Sequence, residues 1–124
     1  MRLVAGHSDL DAAYQELLKM ATGVEDLIVQ KYIPGTLFDA CVVAREGAIA
    51  GMVTQARTLM YPISGSVGAI LATVDYPDLT KAAEYVVIAL NWTGPVQMEF
   101  KRDPFERAYS LIEINPRFWG TTGA

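Results

Sequence analysis

The sequence predicts an α+β domain, a mostly antiparallel sheet with two helices, and three observations lead to it. Six or seven short β-prone runs follow one another with turn residues between them. Two other segments repeat their apolar residues at helical spacing. The chain of 124 residues, 52% hydrophobic, carries enough apolar surface for one compact core and too little for two, so residues 1–124 are expected to form a single domain.

Residues 1–4 read as a short strand, after which Ser8 and Asp11 form a capping box that opens a helix. Leu10, Tyr14, Leu17, Leu18 and Ala21 give that helix its apolar stripe, and Gly23 stops it. Residues 26–32 (DLIVQKY) are a β-prone run closed by the turn pair Pro34-Gly35. Three further strands are expected near 36–45, 48–60 and 66–74, separated by Glu46-Gly47 and by residues 62–65 (PISG), as an antiparallel meander. Pro77 and Asp78 open a second helix running to about residue 91, whose stripe is Leu79, Ala82, Ala83, Val86, Val87 and Leu90; Gly94-Pro95 is expected to end it. The last two strands, near 95–102 and 108–115, are joined by a polar turn that begins at Asp103-Pro104.

The net charge is -4, and ten Lys and Arg residues are spread along the chain rather than gathered, which argues against a nucleic-acid partner. The single cysteine, Cys41, cannot form an internal disulfide; within Ala40-Cys41-Val42-Val43 it reads as a small buried hydrophobe. No apolar stretch reaches the ~20 residues that span a bilayer, and the N-terminus lacks the pattern of a signal peptide, so no membrane partner is expected and the cytoplasm is the expected compartment.

The informative residues are carboxylates. In the strand that holds residues 96–101, Val96, Met98 and Phe100 share one face, and Gln97, Glu99 and Lys101 the other. In the strand after it, Leu111, Glu113 and Asn115 share a face. A hairpin centred near residue 106 sets Glu99 beside Glu113. Two carboxylates facing each other across a ladder repel, unless a cation lies between them. Magnesium takes oxygen ligands, usually one or two carboxylates plus substrate phosphates, and Glu99, Glu113 and Asn115 offer such a set. Arg117 would project from the same face if the strand stays extended through Pro116. On spacing alone the same residues read equally well as a solvated polar face whose acids Arg117 neutralises.

Residues 113–120 (EINPRFWG), with residues 97–101 (QMEFK) before them, resemble the metal-binding end of the ATP-grasp superfamily. The resemblance extends upstream through residues 57–65 (RTLMYPISG) and through residues 29–35 (VQKYIPG), which are similar to the hinge that holds adenine. It points to proteins similar to carboxylate-amine ligases and to the large chain of carbamoyl phosphate synthase, and to a partial ATP-grasp fold. Residues 1–34 would then be the end of the small ATP-binding lobe with its hinge, and residues 35–124 the larger lobe with the metal-ligand strands.

The resemblance implies ATP and Mg2+ as cofactors, with Mn2+ as an alternative ion, and a small carboxylate as substrate of the full-length form. Glu99 would ligate one metal, Glu113 bridge two, and Asn115 hold the second. Arg117 would contact the transferred phosphate, and Arg57 would lie near phosphate or substrate. At the hinge, Gln30 would approach the adenine edge, while the Lys31 carbonyl and the Ile33 amide read the ring; Asp39 would contact ribose. Without the resemblance, Lys31 and Arg57 read as solvated strand charges, Gln30 as a turn residue, and Asp39 as a polar residue on a half-exposed strand.

A relative of this kind begins with a substrate-binding domain, then a strand with a phosphate-contacting lysine and a glycine-rich loop, and continues past residue 124 into helices. The chain is therefore expected to be a piece of a longer ligase or a naturally shortened one. A non-enzymatic folding or oligomerisation module is the alternative, its cut sheet edges covered by a second copy in a homodimer. Phosphoryl transfer depends on charge neutralisation around the phosphates, so the chain by itself is predicted not to turn over. ADP release with candidate carboxylates and amines, well above a Glu113→Ala control, would contradict this.

Overall fold

The computed structural model describes residues 3–20, 27–60 and 68–120, and the chain divides into two compact units, Met1–Tyr32 and Ile33–Ala124. Among the described residues of the first unit the one regular element is helix α1, His7–Leu18, with Ala13 buried. The helix starts one residue before Ser8, and its N-cap is Gly6, extended at φ -168 and ψ 175, with no side-chain cap hydrogen bond. Ser8 thus has helical backbone, and the expected capping box does not form, because a cap residue must stand outside the helix. Gly23 lies outside the described residues, and the helix has already ended at Leu18. Residues 3–4 and 27–32 are not strands. An extended run becomes a strand only when a neighbour completes its ladder, and none of the described residues does so for these.

Among the described residues the second unit is a five-stranded antiparallel sheet with one helix. In chain order it holds β1 (Leu37–Arg45), β2 (Ala48–Met60), β3 (Gly68–Thr73), α2 (Pro77–Ala89), β4 (Gly94–Arg102) and β5 (Tyr109–Asn115), with strand order β3-β2-β1-β4-β5. The first three strands form the expected meander. Strand β4 then returns to the far side of β1, so the longest-range pairing places β1 at the centre. Glu46 (φ 50) and Gly47 (φ 76) make the tight turn between β1 and β2, with left-handed backbone at both central residues. That turn is tied to the α2–β4 loop by hydrogen bonds from Glu46 N to Thr93 Oγ1 (2.8 Å) and from Gly47 N to the Trp92 carbonyl (3.0 Å). The turn between residues 62 and 65 lies outside the described residues.

Helix α2 lays Leu79, Ala83 and Val87 on the sheet, against the buried Phe38, Ala40, Val42, Val96, Met98 and Phe100. These are every second residue of β1 and β4, so one face of the sheet is the core. Burying each large member contributes roughly 2 kcal/mol, enough to fix which face turns inward. Phe38 meets the rings of Tyr76 and Tyr109 edge-on, at 5.9 and 5.4 Å between centroids. The helix is shorter than expected. It ends at Ala89, Asn91 (φ 47) turns the chain, and Leu90 is exposed rather than part of the stripe. Gly94-Pro95 consequently opens β4 instead of ending α2, and a proline is tolerated at the start of a strand.

Cys41 is buried, as its apolar setting predicts. Desolvation, and secondarily the nearby Asp39, push its thiol up to about 12, so it stays protonated and chemically quiet. No helix among the described residues is long and apolar enough to cross a membrane.

Candidate functional site

The face of the sheet opposite α2 is polar. Because side chains alternate, the residues that flank the core positions all turn to it: Arg57 on β2, Asp39 on β1, Gln97, Glu99 and Lys101 on β4, Glu113 and Asn115 on β5. Register then sets the rows. Asp39 stands opposite Glu99, Glu99 opposite Glu113, and Gln97 opposite Asn115. A bulge follows directly between Glu99 and Phe100, on the side away from the Gln97–Asn115 row. Three acids therefore sit on three neighbouring strands, each about 5 Å from the next along the ladder.

Such a row is unstable without positive charge, and Arg57 supplies it. Its Nε donates to Asp39 Oδ2 at 2.8 Å, and its Nη2 donates to Asp39 Oδ1 at 2.6 Å, a two-pronged pair. The same Nη2 lies 2.6 Å from Glu99 Oε1. Side-chain exposure is 5% for Arg57, 0% for Asp39 and 14% for Glu99, so these charges are largely shielded from water. The hydrogen bond to Asp39 outweighs the desolvation of the guanidinium and holds Arg57 in its charged form, with Glu99 adding to the effect. Gln97 extends the network: its Nε2 donates to Asp39 Oδ1 at 3.0 Å, and its Oε1 accepts from Arg117 Nη1 at 3.1 Å.

The residues singled out in the sequence are distributed unevenly. Glu99 and Glu113 face each other as expected, with Asn115 one row along, and Glu113 is exposed. The Asn115 Nδ2 is buried without a hydrogen-bond partner. Arg117 reaches the same face by a different route from the one expected. The strand ends at Asn115 and the chain turns, Arg117 N donating to the Asn115 carbonyl at 2.8 Å, yet the guanidinium still meets Gln97. Asp39 departs furthest from its expected surroundings. It is fully buried rather than half-exposed, and its carboxylate accepts from Arg57 and Gln97. Arg57 is likewise buried between acids and is not a solvated strand charge. Gln30 and Lys31 are exposed residues of the first unit, whereas Ile33 begins the second.

Two residues escaped the sequence reading as parts of the site. Gln97 joins Asp39 to Arg117, and Lys101 Nζ donates to the Ile33 carbonyl at 2.8 Å. Alternation along β4 had placed both on the polar face; the missing information was which strand lies beside β4.

Among the described residues, no three or more His, Cys, Asp or Glu side chains converge as a cage for a metal ion. What the face offers is a pair of carboxylates on adjacent strands, Glu99 and Glu113, beside the Asn115 amide, whose Nδ2 is buried without a hydrogen-bond partner. That donor set fits a hard ion that completes its shell with waters and phosphate oxygens.

No family model matches the chain, and no curated protein matches it. Solved structures do. The D-alanine–D-alanine ligase of Bacillus anthracis, determined in complex with ATP, superimposes with a TM-score of 0.56 over 91% of this chain at 13% identity. The macrocyclase MdnB of Microcystis aeruginosa gives a TM-score of 0.50 over 95% of this chain at 20% identity. The fold is that of part of an ATP-grasp domain. The chain spans only 36% and 39% of the length of these two proteins. Within the ATP-grasp-like sheet, the strands β4 and β5 carry both acids of the facing pair, and β1 and β2 carry the ion pair that steadies them.

The two kinds of acid should respond oppositely to removal. Asp39→Ala leaves Arg57 buried without its two-pronged partner and is expected to cost about 3 kcal/mol of stability. Glu113→Gln relieves a like-charge contact at an exposed position and is expected to be neutral or to add roughly 0.5 kcal/mol. Denaturant unfolding of both variants checks this, and a larger loss from Glu113→Gln than from Asp39→Ala would contradict the arrangement.

Proposed function

We propose that the chain is the ATP- and magnesium-binding part of an ATP-grasp ligase, which activates a carboxylate as an acyl phosphate for attack by an amine or similar nucleophile. The observation that carries this reading is the facing pair Glu99 and Glu113, set beside Asn115 and flanked by Arg117 and Arg57 on one polar sheet face. Arg57 pairs with Asp39 and Glu99, and a bound cation would balance the remaining carboxylate, Glu113. The fold adds support, because a ligase with a similar sheet was determined with ATP. In this reading residues 1–34 are the end of the small lobe with the hinge at Gln30, Lys31 and Ile33, and residues 35–124 are the larger lobe. A small carboxylate is the second ligand of the full-length form, and the cytoplasm is the compartment that the single thiol suits.

Each residue has a task in this reading. Glu99, Glu113 and Asn115 would hold magnesium, which supplies charge neutralisation among the phosphates when bound. Arg117 lies at the end of β5, where its guanidinium is oriented by Gln97 and can pair with the phosphoryl oxygens during transfer. Arg57 balances Glu99, and Asp39 holds Arg57 in place, so Asp39 acts as an anchor. In the reaction the terminal phosphoryl group passes from ATP to a carboxylate oxygen, and ADP leaves. The nucleophile then attacks the acyl carbon, inorganic phosphate departs, and the proton lost from the amine passes to the phosphate or to solvent.

A second reading has its own observation. Among the described residues β3 and β5 are the edge strands of the sheet, and Ile70, Leu111 and Ile112 on them are exposed. Such edges suit pairing with a second copy, as in a structural module without catalysis.

Calorimetric titration with ADP, with and without Mg2+, separates the two. The ligase reading expects binding that strengthens with Mg2+ and loses that increment in Glu113→Ala. Heat that is absent in every condition, from a chain that sediments as a dimer, would replace it with the structural reading.

A further inference from the structure

We infer that Lys101 is a positioning residue for the nucleotide base, tying the exit of the hinge to the strand that carries Glu99. The inference rests on the nucleotide-binding reading above and adds to it a residue with no expected role in the metal or hinge set.

Three contacts place residues 33–36 against the end of β4. Lys101 Nζ donates to the Ile33 carbonyl at 2.8 Å, a charge-assisted bond from a half-buried side chain. Arg102 N donates to the Thr36 carbonyl at 3.3 Å. Between them, Gly35 has φ +113, and a Cβ built there would lie 2.1 Å from the Arg102 carbonyl oxygen, so only glycine allows the two backbones to come so close. Beyond this point the chain enters the ladder directly, with Leu37 opposite Lys101.

The spacing along β4 gives the contact its meaning. Lys101 and Glu99 share the polar face and are two residues apart, about 6.6 Å along the strand. A rigid strand thus carries at one position the carboxylate of the facing pair, and two positions on the clamp for the Ile33 peptide. If that stretch of backbone reads a purine edge, Lys101 sets how far the base sits from the metal-ligand acids. Arg102 and Gly35 hold the same segment through the main chain, so the segment keeps its course without Lys101 while the Ile33 carbonyl, in the same residue as the amide that would read the ring, loses its fixed orientation.

The test uses the whole chain with two probes, ADP and inorganic tripolyphosphate, both with Mg2+, since only ADP has a base to position. Lys101→Met keeps the aliphatic stem and removes the donor; Lys101→Arg keeps a donor. The expected result is a rise in Kd for ADP of about tenfold in Lys101→Met, the effect of losing the charge-assisted bond to the Ile33 carbonyl. Tripolyphosphate binding should be unchanged, and Lys101→Arg should recover most of the ADP affinity. Unchanged ADP binding in Lys101→Met overturns the inference while leaving the nucleotide reading intact, as does an equal loss for both probes. Absence of ADP binding in the unaltered chain overturns the nucleotide reading itself, and this inference with it.

Discussion

A guanidinium between two carboxylates is the contact on which the polar half of this structure depends. Asp39 on the central strand is fully buried, a placement that costs several kcal/mol for an unpaired charge, and Arg57 offsets that cost from the neighbouring strand with two parallel hydrogen bonds. The same Nη2 also reaches Glu99 on the strand across β1, so one side chain bridges three strands. With Asp39 and Glu99 balanced in this way, Glu113 can stand opposite Glu99 at the partly wetted margin of the sheet without forcing the ladder apart.

The two faces of the sheet divide the work. On one, Phe38, Val42, Met98 and Phe100 are buried under Leu79, Ala83 and Val87 of α2, and this apolar layer fixes the orientation of every strand. On the other, the residues between them are forced outward, and the same alternation that buries Met98 and Phe100 delivers Gln97, Glu99 and Lys101 to a common surface. A site built on strand positions is held more rigidly than one on loops, which suits charges that must keep their spacing.

How much of this was legible in the sequence follows from the distance over which each contact acts. The β4–β5 hairpin joins Glu99 to Glu113 through a single turn, so alternation and turn residues were enough to place them face to face. The second helix was legible for the same reason, since its stripe and Pro77 are local signals. The Asp39–Arg57–Glu99 cluster was not, because it requires that β1 lie between β2 and β4, and no local pattern states which strands become neighbours. Local signals also failed where context outweighed them. Ser8 and Asp11 have the spacing of a capping box, yet the helix starts ahead of them; residues 27–32 have strand composition but no ladder among the described residues.

In the function proposed above, the facing carboxylates of β4 and β5 are a cation site and not merely a polar surface. Paramagnetic broadening by sub-stoichiometric Mn2+ in the presence of ADP, followed residue by residue by NMR, tests it most directly. Signals of Glu99, Glu113 and Asn115 and their strand neighbours are expected to broaden first, and those of α2, which packs on the opposite face of the sheet, last. Broadening centred on the acidic residues of α1, or spread evenly over the surface, would contradict it.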